Sequence, residues 1–492
     1  MNLHKINLFI IFLITLSFYG YFIKPADWNI DSRLGLVKAI VEEKRLVIDS
    51  YHDGEFRTSD KAYVNGHYYS DKAIGASLLG VFVYLPIYGL IRQPLPTELF
   101  IMLITVLAIS IPSAILAPLL YNIALRIVKE KWIALAIALS ISLATPIFPY
   151  AGAFYGHSLA AVLAFSIFFL WMEVNQFNAH ITPNRLFLSG FLIGFMVLTE
   201  YTTLIIAIIL TGYIMHVVRS KQTSWDWKTV CLFFAGGVIP LIIFISYNWI
   251  CFGSPLAIGY ANENLQEFKE VHSEGLMGIG WPNPETLLYM TIHPMQGIFI
   301  QSPVLFLAIG GFIMMRRERK LRAEFIVVTS IILVYFLAVS GLKIWWGGDA
   351  FTVRHLIPIL PFFGIFMIFL PRKYHLLFIG LGLISFFQML VASATTYHPF
   401  DQYIRETLKH DFVFSWKTSL IYEEMLPKLL HHKLTYTWGR YLFGLESWYF
   451  NLTIPVIVAI GFLIVFYFIS RQENKTLTHT SLFPTAKSPK VE

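Results

Sequence analysis

The chain has 492 residues, of which 56% are hydrophobic, 16% are aromatic and only 14% are charged. A soluble domain usually carries about 25% charged residues, so this chain has too few charges to cover a surface that faces water. The composition predicts an integral membrane protein and excludes an ordinary soluble enzyme. The net charge of +7 is attributed to anchoring at the cytoplasmic surface and not to nucleic-acid binding.

Twelve apolar segments are predicted to cross the membrane as helices, because about 17–25 apolar residues span a bilayer. They lie at 6–24, 98–125, 132–150, 157–174, 186–200, 202–218, 229–250, 297–315, 323–341, 355–371, 375–393 and 453–470. The first segment lacks a cleavage site and is predicted to stay as an uncleaved span. The segment 73–92 contains Gly75, Pro86 and Gly89 and is predicted to be an interfacial or re-entrant helix. The predicted fold class is all-α and polytopic.

The short loops between the spans carry most of the lysines and arginines. With twelve spans, the following residues fall on one side together with Lys5: Arg126, Lys129, Lys131, Arg219, Lys221, Lys228, the stretch 316–322, Arg372, Lys373 and Arg471. Cationic loops stay in the cytoplasm, so both termini are predicted to be cytoplasmic and the protein to reside in the inner membrane. The outer face then carries the loops 25–97, 251–296 and 394–452. Residues 1–470 form one predicted domain, and the polar tail 471–492 is predicted to be disordered.

The first outer loop offers the first candidate residues. Asp31 lies just beyond the first span and before an amphipathic stretch, where a carboxylate either caps the helix or acts as a general base. Arg33 is placed to orient that carboxylate or to hold an anion. Lys72 directly precedes apolar sequence, so it either snorkels to lipid phosphate or clamps a lipid-linked phosphate. Its neighbour Asp71 can pair with it, and Tyr69 is either a belt aromatic or a surface on which a sugar stacks.

Later segments add candidates at the same predicted face. Arg354 begins an apolar segment after the Gly347–Gly348 turn, and its guanidinium matches phosphate oxygens in a way that lysine does not. Trp346 lies beside that turn. His157 begins another span, and Glu200 with Tyr201 interrupts a pair of spans. An ionisable group at membrane depth costs free energy, so its presence there suggests a function. We expect these distant residues to meet in a cavity that opens outward at the lipid boundary and takes an amphipathic substrate.

Several motifs resemble those of the bacterial polytopic glycosyltransferases of the GT-C superfamily. This group uses polyprenyl-phosphate sugars and is related to the protein mannosyltransferases and the lipid A aminoarabinose transferases. The similar stretches are "DSR", "NGHYYSDKAIGASLLGVFVYLPIY", "FGSPLAIGY", "GIFIQSPVLFLAIGG" and "WWGGDAFTVRHLIPILPFF". The resemblance implies a long first outer loop with surface helices, a catalytic acidic residue in that loop and a lipid-phosphate sugar donor.

The resemblance also assigns roles to residues of this chain. It makes Asp31 the catalytic residue, with Lys72, Arg354 and His157 at the donor phosphate. The supporting residues are Arg33, Tyr69, Asp71, Glu200, Tyr201 and Trp346. The chain departs from the family where Lys72–Ala73 replaces a common Lys-Pro, and again at 349–352, where a small glycine-bearing turn is common. These departures put the shape of the acceptor site in doubt.

The predicted function is transfer of a sugar from a polyprenyl-phosphate donor to a glycan, lipid or protein acceptor on the outer face of the membrane. The reaction would invert the anomeric centre, with Asp31 as the base, so Asp31→Asn would abolish turnover. No cofactor is required by this chemistry and no metal-ligand spacing is present, although a divalent cation could bridge phosphate and carboxylate. The alternative is a transporter or flippase of a lipid-linked or anionic solute, which predicts charges near the bilayer midplane and duplicated halves.

Overall fold

A computed structural model of the chain describes residues 3–25, 27–221, 227–267, 270, 278–395, 400–409 and 412–481. The longer helices are numbered here in chain order. They are α1 (Leu3–Tyr19), α2 (Trp28–Lys38), α3 (Gly75–Ile91), α4 (Thr97–Val128), α5 (Lys131–Leu143), α6 (His157–Gln176), α7 (Pro183–Thr199), α8 (Tyr201–Lys221), α9 (Trp227–Phe252), α10 (Pro284–Ile292), α11 (Pro303–Met315), α12 (Arg319–Ser340), α13 (Arg354–Met367), α14 (Arg372–Ala394), α15 (Asp401–Leu408) and α16 (Trp448–Ser481).

The predicted all-α polytopic class is confirmed. Within the described residues, seven helices are long and apolar enough to cross a membrane, namely α4, α6, α8, α9, α12, α14 and α16. Six shorter apolar helices accompany them: α1, α3, α5, α7, α11 and α13. Each of the twelve predicted spans contains one of these helices, and α3 occupies the segment predicted to be interfacial. Helix α16 extends to Ser481, beyond the predicted boundary at 470, while 482–492 lie outside the described residues.

Helix α4 contains two prolines and stays continuous. A π-helical turn at Val106–Ser110 directly precedes Pro112. Proline lacks an N–H group and cannot complete the hydrogen bond to the residue four positions before it, so the widened turn absorbs the local mismatch.

Helices α7 and α9 pack with their backbones almost in contact. A Cβ atom on Gly190 would lie 1.8 Å from the Phe233 carbonyl oxygen, and one on Gly236 would lie 1.9 Å from the Phe187 carbonyl oxygen. Helices in lipid associate through close packing of small residues, since lipid tails are as apolar as leucine. The glycines therefore set the distance between these two helices.

The predicted basic loops meet at one end of the helix bundle, which is called the basic end here. Contacts there include Arg126 Nη1 with Glu173 at 2.7 Å, Lys131 Nζ with Glu473 at 2.9 Å, the Gln176 amide donating to the Lys320 carbonyl at 3.1 Å, and Arg372 with Glu130. The segments predicted to be outer loops emerge at the other end, which is called the cavity end.

The first loop at the cavity end folds into α2 and a hairpin. Strands β2 (Lys61–Val64) and β3 (His67–Ser70) pair antiparallel through the turn Asn65–Gly66, whose φ angles are +50° and +88°. Both angles are positive, as the common two-residue Asn-Gly hairpin turn requires. The hairpin delivers Asp71 and Lys72 to the start of α3. A second short sheet joins β1 (Phe22–Ile23) to β4 (Tyr436–Thr437), which ties the end of α1 to the loop before α16.

Candidate active site

A cavity of about 270 Å³ lies at the cavity end. Its walls come from the first loop, the starts of α6, α8 and α13, and the segments 260–263, 278–279 and 342–349. Its ionisable lining residues are Asp27, Asp60, Lys72, Tyr155, Glu200, Tyr201, Tyr260, Glu263, Lys343, Asp349, Arg354, His355 and Arg405. Leu204, Ile205, Leu342 and Ile344 supply an apolar part. The cavity therefore places a charged region next to an apolar region, as an amphipathic ligand requires.

Asp27 is a half-buried carboxylate at the start of α2. It caps that helix, with Oδ1 accepting a hydrogen bond of 2.8 Å from the Ile30 N–H. Its Oδ2 accepts a hydrogen bond of 2.5 Å from the Tyr155 hydroxyl. Burial raises the pKa of Asp27, while both hydrogen bonds and the charge of Arg354 oppose that rise because they favour the ionised form.

Asp31 lies one helical turn after Asp27. Its side chain is buried, and among the described residues its Oδ1 has no hydrogen-bond partner. Burial raises the pKa of Asp31 to about 8, and the negative charge of Asp27 adds to the rise. Of this pair only Asp27 is among the described residues that line the cavity. Asp31 as the base therefore stays a prediction.

Lys72 lines the cavity and already has two anionic partners. Its Nζ lies 2.8 Å from Asp60 Oδ2 and 2.8 Å from Asp71 Oδ2, and 5.3 Å from the centre of the Tyr260 ring. Burial lowers the pKa of Lys72, but the two carboxylates together outweigh burial and leave the pKa raised. Asp71 lies behind the cavity wall, where its Oδ1 accepts from the Ser32 hydroxyl at 3.2 Å. Much of the positive charge of Lys72 is therefore neutralised in this state.

Arg354 differs from Lys72 because its guanidinium keeps an unused donor. Its Nε is buried and has no hydrogen-bond partner in the described part of the chain. The guanidinium carbon lies 5.1 Å from the centre of the Tyr155 ring, a cation–π distance. A Cβ atom on Gly347 would approach Arg354 Nε to 2.9 Å, and the φ of Gly347 is +80°, so glycine is required at this position. A buried donor left without a partner is costly and marks a place for an anion.

Arg33, Glu200 and His157 form a buried group beside the cavity. Arg33 donates to Glu200 Oε1 at 3.2 Å, to the Asn29 side chain at 3.0 Å and to the Ala73 carbonyl at 2.8 Å. His157 Nδ1 lies 3.7 Å from the same Glu200 oxygen. Glu200 lines the cavity, whereas Arg33 and His157 lie behind it. The group fastens the first loop to the break between α7 and α8.

The structure thus sorts eight of the ten predicted site residues into two layers. Lys72, Glu200, Tyr201 and Arg354 line the cavity, and Asp31, Arg33, Asp71 and His157 lie behind them. Tyr69 lies on β3, where its ring packs 6.0 Å from the ring of Phe252. Trp346 is buried, with the guanidinium of Arg405 5.5 Å from its ring centre, so it acts on the cavity through Arg405.

Several lining residues escaped the sequence analysis, above all Asp27, Asp60, Tyr155 and Arg405. Asp27 carried a usable signal, since an aspartate just before an apolar-periodic segment is a preferred helix cap. No such signal exists in the sequence for Asp60 or Tyr155, because only the fold brings them beside Lys72 and Arg354. Among the described residues no group of three or more His, Cys, Asp or Glu side chains could hold a metal ion. The divalent cation that the sequence analysis allowed for thus has no ligand cluster in that part of the chain.

No protein-family model matches the chain, and no curated protein matches it. Two solved structures of the Archaeoglobus fulgidus oligosaccharyltransferase are similar to it. The apo form is 12% identical over 84% of this chain and 60% of its own, with a TM-score of 0.49. The complex of AglB with an inhibitory peptide and a dolichol-phosphate is 11% identical over 84% of this chain and 60% of its own, with a TM-score of 0.45. This chain spans about 60% of the length of those proteins.

A bacterial structure is similar as well. ArnT from Cupriavidus metallidurans bound to undecaprenyl phosphate is 13% identical over 95% of this chain and 70% of its own, with a TM-score of 0.40. The resemblance predicted from the sequence is therefore met only as a resemblance, since these matches are 11–13% identical. The TM-scores stay below 0.5, and no activity, substrate or residue role passes from these proteins to this chain.

Proposed function

We propose that this chain is a membrane glycosyltransferase that moves a sugar from a polyprenyl-phosphate donor to an acceptor hydroxyl at the cavity end. One observation carries the proposal. The buried Tyr155 connects a half-buried carboxylate to a half-buried cation, since its hydroxyl donates to Asp27 at 2.5 Å and its ring lies 5.1 Å from the guanidinium of Arg354. A base and an anion site therefore stand side by side in one cavity that also has an apolar wall.

In the reaction, the carboxylate acts on the acceptor and the cation acts on the donor phosphate. The acceptor oxygen attacks the anomeric carbon of the donor and forms the new glycosidic bond. The bond from that carbon to the phosphate oxygen breaks, and its electron pair leaves on the phosphate. The acceptor proton passes to the carboxylate, and a single displacement inverts the anomeric centre through an oxocarbenium-like transition state.

Arg354 is the stronger candidate for the leaving phosphate. Negative charge grows on the phosphate as the bond breaks, and a preorganised donor stabilises that charge most in a dry site. Arg354 offers the unpartnered Nε, whereas Lys72 already contacts Asp60 and Asp71. Lys72 then contributes as the neighbour that holds Asp60 in place and adds long-range attraction for the phosphate.

Asp27 is favoured over Asp31 as the base. A base must lie within hydrogen-bond reach of the proton that it removes, and Asp27 lines the cavity. Asp31 holds its proton at neutral pH, since its pKa is raised to about 8. Burial raises the pKa of Asp27 as well, but the Tyr155 hydroxyl, the Ile30 N–H and the charge of Arg354 oppose that rise and favour the ionised form, which is the form that accepts a proton.

The test is transfer from radiolabelled polyprenyl-phosphate sugars in membranes that contain this chain. We expect Asp27→Asn to lower transfer by about 10²–10⁴-fold, the usual contribution of a general base, and to keep donor binding. Asp31→Asn is the matched control and should keep transfer within a few-fold. Arg354→Ala should weaken donor binding itself. The fraction that takes up label (glycan, lipid or protein) identifies the acceptor.

Each other outcome has a definite meaning. Loss of transfer in Asp31→Asn, with Asp27→Asn active, would return the base to the residue first predicted from the sequence. Loss of transfer in EDTA that added Mg²⁺ or Mn²⁺ restores would establish a divalent cation. Absence of donor binding, together with movement of a lipid-linked solute across vesicles, would make the chain a flippase instead of an enzyme.

A further inference from the structure

A second cavity, of about 250 Å³, lies at the basic end, on the opposite side of the bundle from the candidate active site. It opens between the turn that joins α4 to α5 and the turn that joins α13 to α14. Its walls are aliphatic, with Ile133, Ile137, Met367 and Leu370 among the lining residues. The apolar part of such a cavity accepts a hydrocarbon chain.

Cationic groups stand at the mouth of this cavity. Arg372 and His375 are part of its lining, and the exposed side chains of Lys129 and Lys373 belong to the same two turns. Arg372 contacts Glu130, which holds the two turns together. With three fixed cations against one carboxylate, the mouth carries a net charge of about +2 before His375 is counted.

The start of α14 adds a further attraction for anions. The α-helical part of α14 covers His375–Ala394, and its cap residue Tyr374 makes no side-chain cap hydrogen bond within the described residues. The helix dipole makes this end of α14 positive. The Tyr374 and His375 N–H groups already donate to the Pro371 and Arg372 carbonyls, so an oxygen anion at Arg372 and His375 would be attracted by the dipole and by the side-chain cations.

We propose that this cavity, called the lipid groove here, binds one anionic phospholipid. The acyl chain lies along Ile133, Ile137 and Leu370, and the phosphate lies at Arg372 and His375. The occupant is a lipid because the walls are aliphatic and the charges stand only at the mouth. The lipid is anionic because the cationic group of a zwitterionic headgroup would be repelled by Lys129 and Lys373. The proposal does not depend on the glycosyltransferase function, since the groove lies at the other end of the bundle.

The experiment is native mass spectrometry of the full chain in detergent, titrated with phosphatidylglycerol or with phosphatidylcholine. We expect the wild type to bind phosphatidylglycerol roughly tenfold more tightly, in keeping with a few cations near a headgroup. The double variant Arg372→Ala/Lys373→Ala should lose that preference. Ile133→Trp fills the groove, keeps every charge and should lower binding of both lipids. Each variant is checked for an unchanged melting temperature without added lipid.

The matched control removes two cations elsewhere at the basic end. Arg219→Ala/Lys221→Ala at the exposed end of α8 should keep the wild-type preference. Equal affinity of the wild type for the two lipids would overturn the proposal. So would an equal loss in the control variant, which would show a general effect of surface charge, or full binding in Ile133→Trp, which would show that the groove is not the site.

Discussion

Asp27 caps α2 and Asp31 lies in its first turn, and burial raises the pKa of both, yet their hydrogen-bond partners differ. Asp27 accepts two hydrogen bonds and lies near Arg354, so its charged form has partners. Asp31 keeps a buried oxygen without a partner among the described residues, and its pKa rises to about 8. The difference arises because residues four apart on a helix face the same side but meet different neighbours. At the residue scale, these hydrogen-bond partners are what favours Asp27 as the proposed base.

Asp31→Asn should change how stability depends on pH. The pKa of Asp31 rises from 3.8 in the unfolded chain to about 8 in the folded protein. Between these values the folded protein holds more protons, so its free energy of unfolding falls as the pH rises, by at most about 1.4 kcal/mol per pH unit. Asparagine cannot ionise, and we expect the variant to gain melting temperature relative to wild type between pH 5 and pH 8.

Asp53→Asn is the control for that measurement. Asp53 is exposed and Lys61 lowers its pKa, so it stays ionised from pH 5 to pH 8 and its substitution should shift the melting temperature equally at both values. An Asp31→Asn effect of the same size at pH 5 and pH 8 would contradict the raised pKa.

At the scale of elements, the distance between α7 and α9 depends on glycines at two positions. Gly236 faces the Phe187 carbonyl oxygen and Gly190 faces the Phe233 carbonyl oxygen. These contacts leave no space for a methyl group, and α7 ends at its cap residue Glu200, which lines the cavity. Small residues in α7 and α9 thus influence the position of the cavity carboxylate that directly follows α7.

Gly236→Ala should destabilise the protein, and Gly237→Ala should not. A Cβ atom at position 236 would lie 1.9 Å from a carbonyl oxygen, whereas one at position 237 would meet its first neighbour at 3.5 Å. Forcing a methyl group into a packed contact costs about 1–3 kcal/mol, whereas alanine in an open helical position gains a few tenths. Melting temperatures of the two variants in the same detergent make the comparison. A similar loss in both would show that the backbones do not touch at Gly236.

At the scale of the whole molecule, the basic loops and the candidate active site lie at opposite ends of the helix bundle. The short basic loops and their carboxylate partners meet at the basic end, and every wall of the candidate active site comes from segments at the cavity end. This separation makes membrane orientation a test of the proposed function.

We expect the basic end to face the cytoplasm, as cationic loops do. In a variant without Cys231, Trp281→Cys should react with a membrane-impermeant maleimide in intact bacterial cells, because Trp281 is 94% exposed in a predicted outer loop. Lys221→Cys at the basic end is the control and should react only after the cells are permeabilised. The reverse pattern would place the cavity in the cytoplasm and contradict transfer on the outer face.

Much of the candidate site could be predicted from the sequence, but which residues line the cavity and which lie behind them could not. Lys72, Arg354, Glu200 and Tyr201 were recognised because each places polar chemistry at an apolar boundary, a local property. The hairpin at 61–70 was missed although Asn65–Gly66 is a strong turn signal. Which of the two carboxylates lines the cavity depends on contacts between α2 and the start of α6, and no local pattern contains those contacts.

The sequence by itself determined the membrane class, the positions of the apolar helices and the grouping of the basic loops. Hydropathy and charge belong to residues one by one, so they can be summed along the chain without knowing the fold. Only the tertiary structure decided that Tyr155 joins Asp27 to Arg354 and that Asp31 lies behind them. Those contacts join residues more than a hundred positions apart, and they exist only when the first loop packs against the helix bundle.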